Sequence, residues 1–352
     1  MKITAKKTDI LPVDVIVFSR ERQKRLIRSL KLWSTQPYHF VILDNSEIPL
    51  ETDFAKNISY FHLRGQNFGS RANEAIKFLR NPYAIICSDD ECLIPFSIHR
   101  MVDFLEKNRN FTSVGGRVIG AYKYGPRLTG VLAYSYMNGY VNRSKDVNVR
   151  LRKHLMSNFG GNRPIGGMYR LFRNEGMVKL LESFYFARNI PTPYIFEILG
   201  EIVSTSLGST STLTNVYWIR NWHDGMSNHS DWNRNYTFSS WWTNNSNQKE
   251  KIELINWVCK THGIDFRVLN ELLDEFIKKL LPFDNKVEFF NFKPSKNVFL
   301  QHKINLLKFL IKVLLVPTKI PKSLEVVLTE EVVPTSLKER SQIVDCAKAM
   351  IV

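Results

Sequence analysis

Three consecutive carboxylates, Asp89, Asp90 and Glu91, directly follow the apolar run 83–87. That run reads as a buried parallel strand, and acids gathered at its carboxyl end repel one another unless something cationic sits among them. In an open α/β sheet this end is also where ligands bind. A hard divalent ion carrying a nucleotide diphosphate suits such a place, because Mg²⁺ takes one or two carboxylates together with phosphate oxygens. The competing reading is a solvated acidic turn. The surrounding segments decide between them.

Positioning those acids requires a sheet, and the chain supplies its pattern. Residues 13–19 read as a first strand, with a helix over 22–32 carrying Leu26, Ile27 and Leu30 at helical spacing. A second strand over 39–43 ends in Asp44, and a third covers 58–63. A helix starts near 72 after the Asn67–Ser70 turn, and the acidic strand comes next. This alternation predicts an α/β fold with a parallel, doubly wound sheet. A helix over 97–106 and a strand over 113–119 follow. Residues 120–180 are rich in Gly, Tyr, Asn and Arg, and their loop 158–167, which includes Gly166 and Gly167, reads as a substrate-binding segment. A helix over 194–207 carries Glu197 and Glu201 one turn apart, and a strand over 213–219 leads to Arg220 and Trp222. Residues 227–248 read as loop and linker.

Four segments in this order resemble the nucleotide-sugar-binding half of the GT-A glycosyltransferases, most of all the family 2 type. They are the first strand ending in Ser19-Arg20, the second ending in Asp44, Asn67-x-Gly69-x-x-x-Asn73, and Ser88-Asp89-Asp90-Glu91 with Pro95 beyond. The likeness spans roughly residues 12–100, weakens from 101 to 225 and is absent past about 250. It implies a Rossmann-like, mostly parallel sheet flanked by helices, with a donor half over 12–100 and an acceptor half over 101–225. From Glu250 the sequence turns to helical periodicity, which sets a catalytic domain over 1–249 apart from a helical C-terminal extension over 250–352.

The resemblance also distributes roles. Ser19, Arg20, Asp44, Asn67, Gly69, Arg71, Asn73 and Asp89 fall on the donor side. Asp44 would meet the nucleotide base, although Asp-Asn-Ser is equally good turn chemistry. Gly69 would let the backbone approach a ligand, and Arg71 would reach a phosphate. For Asn73 and Arg71, local capping or surface solvation stands level with ligand contact. Asp90 is the implied ligand of Mn²⁺ or Mg²⁺, with Asp89 beside it and Glu91 supporting from behind. His223 is the implied late metal ligand, with His229 second. In similar enzymes the general base lies at a helix start, about eleven residues before a glycine. Glu197 stands eleven before Gly208, with Glu201 as its rival. Gly166, Gly167, Arg220 and Trp222 fall on the acceptor side, where Trp offers an apolar face to a sugar ring. The implied activity is inverting transfer of a sugar from a nucleotide diphosphate to a hydroxyl of a surface glycan or lipid-linked acceptor.

Two other classes fit parts of the chain. A nucleotidylyltransferase would share the sheet but wants a Gly-rich phosphate loop after the first strand, where this chain has Phe18-Ser19-Arg20-Glu21-Arg22. The net charge of +16 favours anionic partners. The basic residues are scattered, however, and the acidic cluster repels phosphate, so nucleic acid is not an expected partner. The four cysteines lack metal-ligand or disulfide-framework spacing, which predicts a reducing, cytoplasmic setting. The N-terminal stretch lacks the apolar length of a signal peptide. No run reaches the roughly 18 apolar residues of a membrane span. Segment 303–316 is apolar apart from Lys303, Asn305, Lys308 and Lys312. It fits either a peripheral helix on an anionic membrane or a packed helix with snorkelling lysines. The tail 318–352 is expected to be partly mobile.

Overall fold

The computed structural model describes residues 10–124, 127–134, 137–156, 166–222, 238–288, 322–324, 327–328 and 337–351. Histidines 223 and 229, most of the 158–167 loop and the 303–316 segment lie outside them. The predicted alternation opens the fold: β1 (Val13–Ser19), α1 (Gln23–Trp33), β2 (His39–Asp44), β3 (Ile58–His62), α2 (Phe68–Ile76) and β4 (Tyr83–Ser88). These four strands are parallel, in the order β3-β2-β1-β4. β1 lies at the centre with Val15, Ile16 and Val17 fully buried. Burying such a side chain contributes about 1.5–3 kcal/mol, and burial on both faces explains why the strands read as continuous apolar runs.

Beyond β4 the sheet is mixed. The chain continues through β5 (Cys92–Leu93), α3 (Pro95–Lys107), β6 (Phe111–Tyr124), β7 (Arg127–Ala133), β8 (Val141–Asn142) and α4 (Val147–Met156). Then come β9 (Leu171–Arg173), α5 (Asn174–Phe186), α6 (Tyr194–Ser206) and β10 (Ser209–Asn221). β9 runs antiparallel to both β4 and β6. β10 is parallel to β6 and antiparallel to β5 and β8. The β5 pairing sets Trp218 against Leu93 and Ile219 against Cys92, which brings the end of β10 beside the acidic turn.

Two stretches depart from expectation. Within the predicted linker, α7 (Phe238–Thr243) is helical. Phe238, Trp241 and Trp242, spaced i, i+3, i+4, are buried in the core that also holds β1 and α6 side chains. The same core takes in α8 (Gln248–His262) and α9 (Phe266–Glu288). Near the C-terminus, a two-residue strand, β11 (Lys322–Ser323), pairs with β7. The expected mobile tail contains α10 (Leu337–Ile351), whose Ile343, Ala347 and Met350 pack on Cys92, Ile119, Val216 and Ile219. Glu339 meets Ser97, and the Gln342 side chain accepts from the Phe96 N–H. All four cysteines are free thiols. Among the described residues no helix is long and apolar enough to cross a membrane.

Candidate active site

Parallel pairing of β1 with β4 sets Phe18 opposite Ser88, so the start of α1 stands beside the acidic turn. The cations required there come from the protein itself. Arg22, just before α1, sends Nη1 to Asp89 Oδ1 and Nη2 to Asp90 Oδ2. Arg25 adds Nη1 to Asp90 Oδ2 at 3.2 Å, and the Ser19 hydroxyl donates to Asp89 Oδ2 at 2.9 Å. Asp89 and Asp90 are buried. Burial pushes the Asp89 carboxyl up to about 7, and the Arg22 guanidinium only partly opposes this.

Glu91 faces the other way. It accepts from Trp218 Nε1 at 2.7 Å and from Arg220 Nε at 2.7 Å, while its backbone carbonyl accepts from Trp33 Nε1 at 3.2 Å. The residue therefore ties α1, the acidic turn and β10 together. Arg220 also donates to the Tyr134 hydroxyl. Burial disfavours its charge, but Glu91, Tyr134 and Tyr169 outweigh that and hold Arg220 firmly protonated.

Glu197 lies in the first turn of α6, where the helix dipole favours a carboxylate. Its charge is felt by Tyr134, whose hydroxyl accepts from Arg220, and by Tyr169. Both phenols are raised, first by burial, and both sense the charges of Glu91, Arg220 and Glu197. Glu197 and the acidic turn thus share one electrostatic neighbourhood although 106 positions part it from Glu91 (197 − 91).

The remainder of α6 is buried nearly all round, so its second carboxylate needs internal partners. Glu201, the rival base in the sequence reading, has both oxygens committed inside the fold. Oε1 accepts the Gly167 N–H at 2.7 Å and Oε2 meets His154 Nε2 at 2.7 Å, with His154 Nδ1 3.1 Å from the Tyr140 hydroxyl. Gly167 is pressed on α6: a Cβ there would lie 2.6 Å from the Gly200 carbonyl oxygen. It is this backbone contact that demands a glycine at 167.

The other residues expected on the donor side are placed as follows by the fold. Asp44 is fully buried and accepts from the Ser46 N–H at 3.0 Å, the Ser46 hydroxyl at 2.6 Å and Tyr60 at 2.7 Å. This is the turn chemistry its Asp-Asn-Ser context favours. Arg71, expected to reach a phosphate or lie in solvent, is buried and donates to the carbonyls of Ser19 and Leu43 at 2.7 and 2.8 Å. Burial depresses its pKa to about 10. Asn67 caps α2 through the Ser70 N–H at 2.9 Å. Gly69 allows close approach to α5, since a Cβ would lie 2.4 Å from the Phe184 carbonyl oxygen. Asn73 is half-buried on α2, Arg20 is exposed after β1, Gly166 has φ +106°, and Trp222 is part-exposed just past β10.

Sequence reasoning missed Arg22, Arg25 and His154. The first two carried a usable signal, because parallel neighbours place the residues after β1 against those after β4. The donor set suits a cation that arrives with phosphate oxygens: Asp89 and Asp90 supply hard oxygens. Among the described residues no cluster of three His, Cys, Asp or Glu side chains forms a protein-only metal cage.

No protein-family model matches the chain, and no curated protein matches it. Solved structures do. TarS residues 1–349 of S. aureus in complex with UDP-GlcNAc aligns with a TM-score of 0.51 at 14% identity, over 97% of this chain and 90% of that one. TarS 1–349 gives 0.49 at 13% identity over the same shares, and its UDP complex gives 0.39 at 12% over 82% and 94%. The UDP-GlcNAc complex carries the comparison, and what is shared is the fold, a GT-A-like α/β sheet flanked by helices.

Proposed function

We propose that the chain is a divalent-cation-dependent, inverting glycosyltransferase that moves a sugar from a nucleotide diphosphate to a hydroxyl of a glycan or lipid-linked acceptor. The observation that carries this reading is the buried acidic turn Asp89-Asp90-Glu91 at the carboxyl end of the parallel strand β4, held by Arg22, Arg25 and Arg220. The GT-A-like fold and the UDP-GlcNAc held by TarS support it.

Glu197 takes the proton of the acceptor hydroxyl. The oxygen attacks the anomeric carbon as the bond from that carbon to the diphosphate oxygen breaks, and the electron pair leaves with the diphosphate. One displacement inverts the centre. Asp90, with Asp89, would hold Mn²⁺ or Mg²⁺, which when bound supplies Lewis-acid stabilisation of the leaving group. Glu201 is a positioning residue, holding Gly167 and His154 against α6. Trp222 offers its part-exposed face to the acceptor. For a lipid-linked acceptor, the apolar and lysine-bearing sequence of 303–316 is the proposed contact with an anionic membrane surface.

The test is release of nucleoside diphosphate from a panel of nucleotide sugars, with and without Mn²⁺. Asp90→Ala is expected to lower cation-dependent release by at least about a hundredfold. Full turnover in that variant would remove Asp90 from the site.

A further inference from the structure

The ion pair at the acidic turn has an uneven geometry. The acids are enclosed, with 2% of the Asp89 side chain and 7% of the Asp90 side chain accessible. The arginines stand at the mouth, with 19% of Arg22 and 25% of Arg25 accessible. Arg22 holds no helix-capping bond and bridges both acids with its two terminal nitrogens. Its Nε is buried without an acceptor. Asp90 Oδ2 receives both guanidinium groups, so one oxygen gathers two cations.

Two guanidinium groups carry the same total charge as one divalent cation, and here they hold the oxygens that such a cation needs. A cation arriving alone must displace Arg22 and leave it unpaired. A diphosphate arriving alone meets two carboxylates. Arriving together, they resolve both conflicts: the acids keep a cation, and the guanidinium fork gains phosphate oxygens, which it binds bidentately. We propose that Arg22, assisted by Arg25, is a diphosphate-binding residue that the ligand-free protein parks on Asp89 and Asp90 and that changes partner when nucleotide and cation bind together. This rests on the glycosyltransferase reading above. Cation and nucleotide are then coupled ligands, each raising the other's affinity by the same factor.

The experiment is binding to the full chain. Free Mn²⁺ is followed by electron paramagnetic resonance, and UDP, GDP and ADP are titrated calorimetrically with and without Mn²⁺. Wild type is expected to bind Mn²⁺ weakly alone and to bind one nucleotide tightly only with Mn²⁺. Arg22→Ala is expected to move the two affinities in opposite directions, tightening Mn²⁺ alone and weakening nucleotide with Mn²⁺, each by about tenfold or more. Arg25→Ala, which removes a single bond to Asp90, is expected to repeat this opposite movement at smaller size, tightening Mn²⁺ alone and weakening nucleotide with Mn²⁺, and it serves if Arg22→Ala does not fold. If both affinities fall together, or Mn²⁺ binding does not change, Arg22 only anchors the acids and the proposal fails while the functional reading stands. If wild type binds none of the nucleotides with Mn²⁺, the functional reading fails and takes the proposal with it.

Discussion

Asp90 and Glu201 are both carboxylates sunk against basic side chains, yet the partners stand in different places. Beside Asp90 the arginines are part-exposed. Beside Glu201 the partner is His154, with 1% of its side chain accessible. An ion pair with one member at the mouth can open for a ligand. A pair sealed on both sides cannot, and its second oxygen is already spent on a backbone N–H. Burial of the partner, not of the acid, is what distinguishes the two pairs: the proposed binding carboxylate has partners at the mouth, the framing one has a partner sealed in. By the same measure Glu201 belongs to the architecture, while Glu197, one turn earlier on α6, is the proposed base.

The widest gap this comparison predicts lies in rate. Glu197→Gln is expected to lower kcat by about 10²–10⁴-fold with nucleotide affinity and melting temperature little changed. Steady-state kinetics beside calorimetry checks this; if Glu201→Gln gives that pattern instead, the two carboxylates exchange roles. Next comes stability. Glu201→Ala removes the acceptor of the buried Gly167 N–H and the partner of His154 Nε2 and is expected to cost about 1–3 kcal/mol, read as a lower denaturant midpoint. An unchanged midpoint there would break the comparison, because a sealed pair would then hold nothing.

The smallest effect is a pH dependence away from both sites. His262, in the last turn of α8, has no hydrogen-bond partner on either ring nitrogen. Burial first, then Lys179, depress its pKa to about 4. As pH falls from about 6.5 the unfolded chain takes up this proton before the folded one, so stability drops between about 6.5 and 4. Melting curves of His262→Phe are expected to lose part of that drop at pH 5 and to match wild type at pH 8.

The donor half was legible because its polar groups sit at the ends of successive strands. Once 13–19, 39–43 and 83–87 read as parallel neighbours, Ser19, Asp44 and Asp89 had to gather at one edge. Their partners were less legible. Arg71 read as a phosphate ligand or a solvated residue, but its place on the inner face of α2 turns it to the carbonyls of Ser19 and Leu43. Gly69 read as a ligand approach, but the backbone it admits belongs to α5. Glu91 read as a supporting group behind the metal ligand, and only the antiparallel β5–β10 pairing brings it Trp218 and Arg220. The α7 tryptophans, placed in a linker, follow a helical spacing that their polar neighbours obscured.

By itself the sequence determined the parallel α/β half and the place of the acidic turn within it, because strand periodicity and order are local properties of the chain. It also required that something cationic meet those carboxylates. Which cations those are was decided only by tertiary structure, since charge pairing depends on distance in space and a sequence records distance along the chain. The same holds for Glu197 and Glu201, identical in type and one turn apart, which packing alone divides into one half-buried residue and one sealed inside the frame.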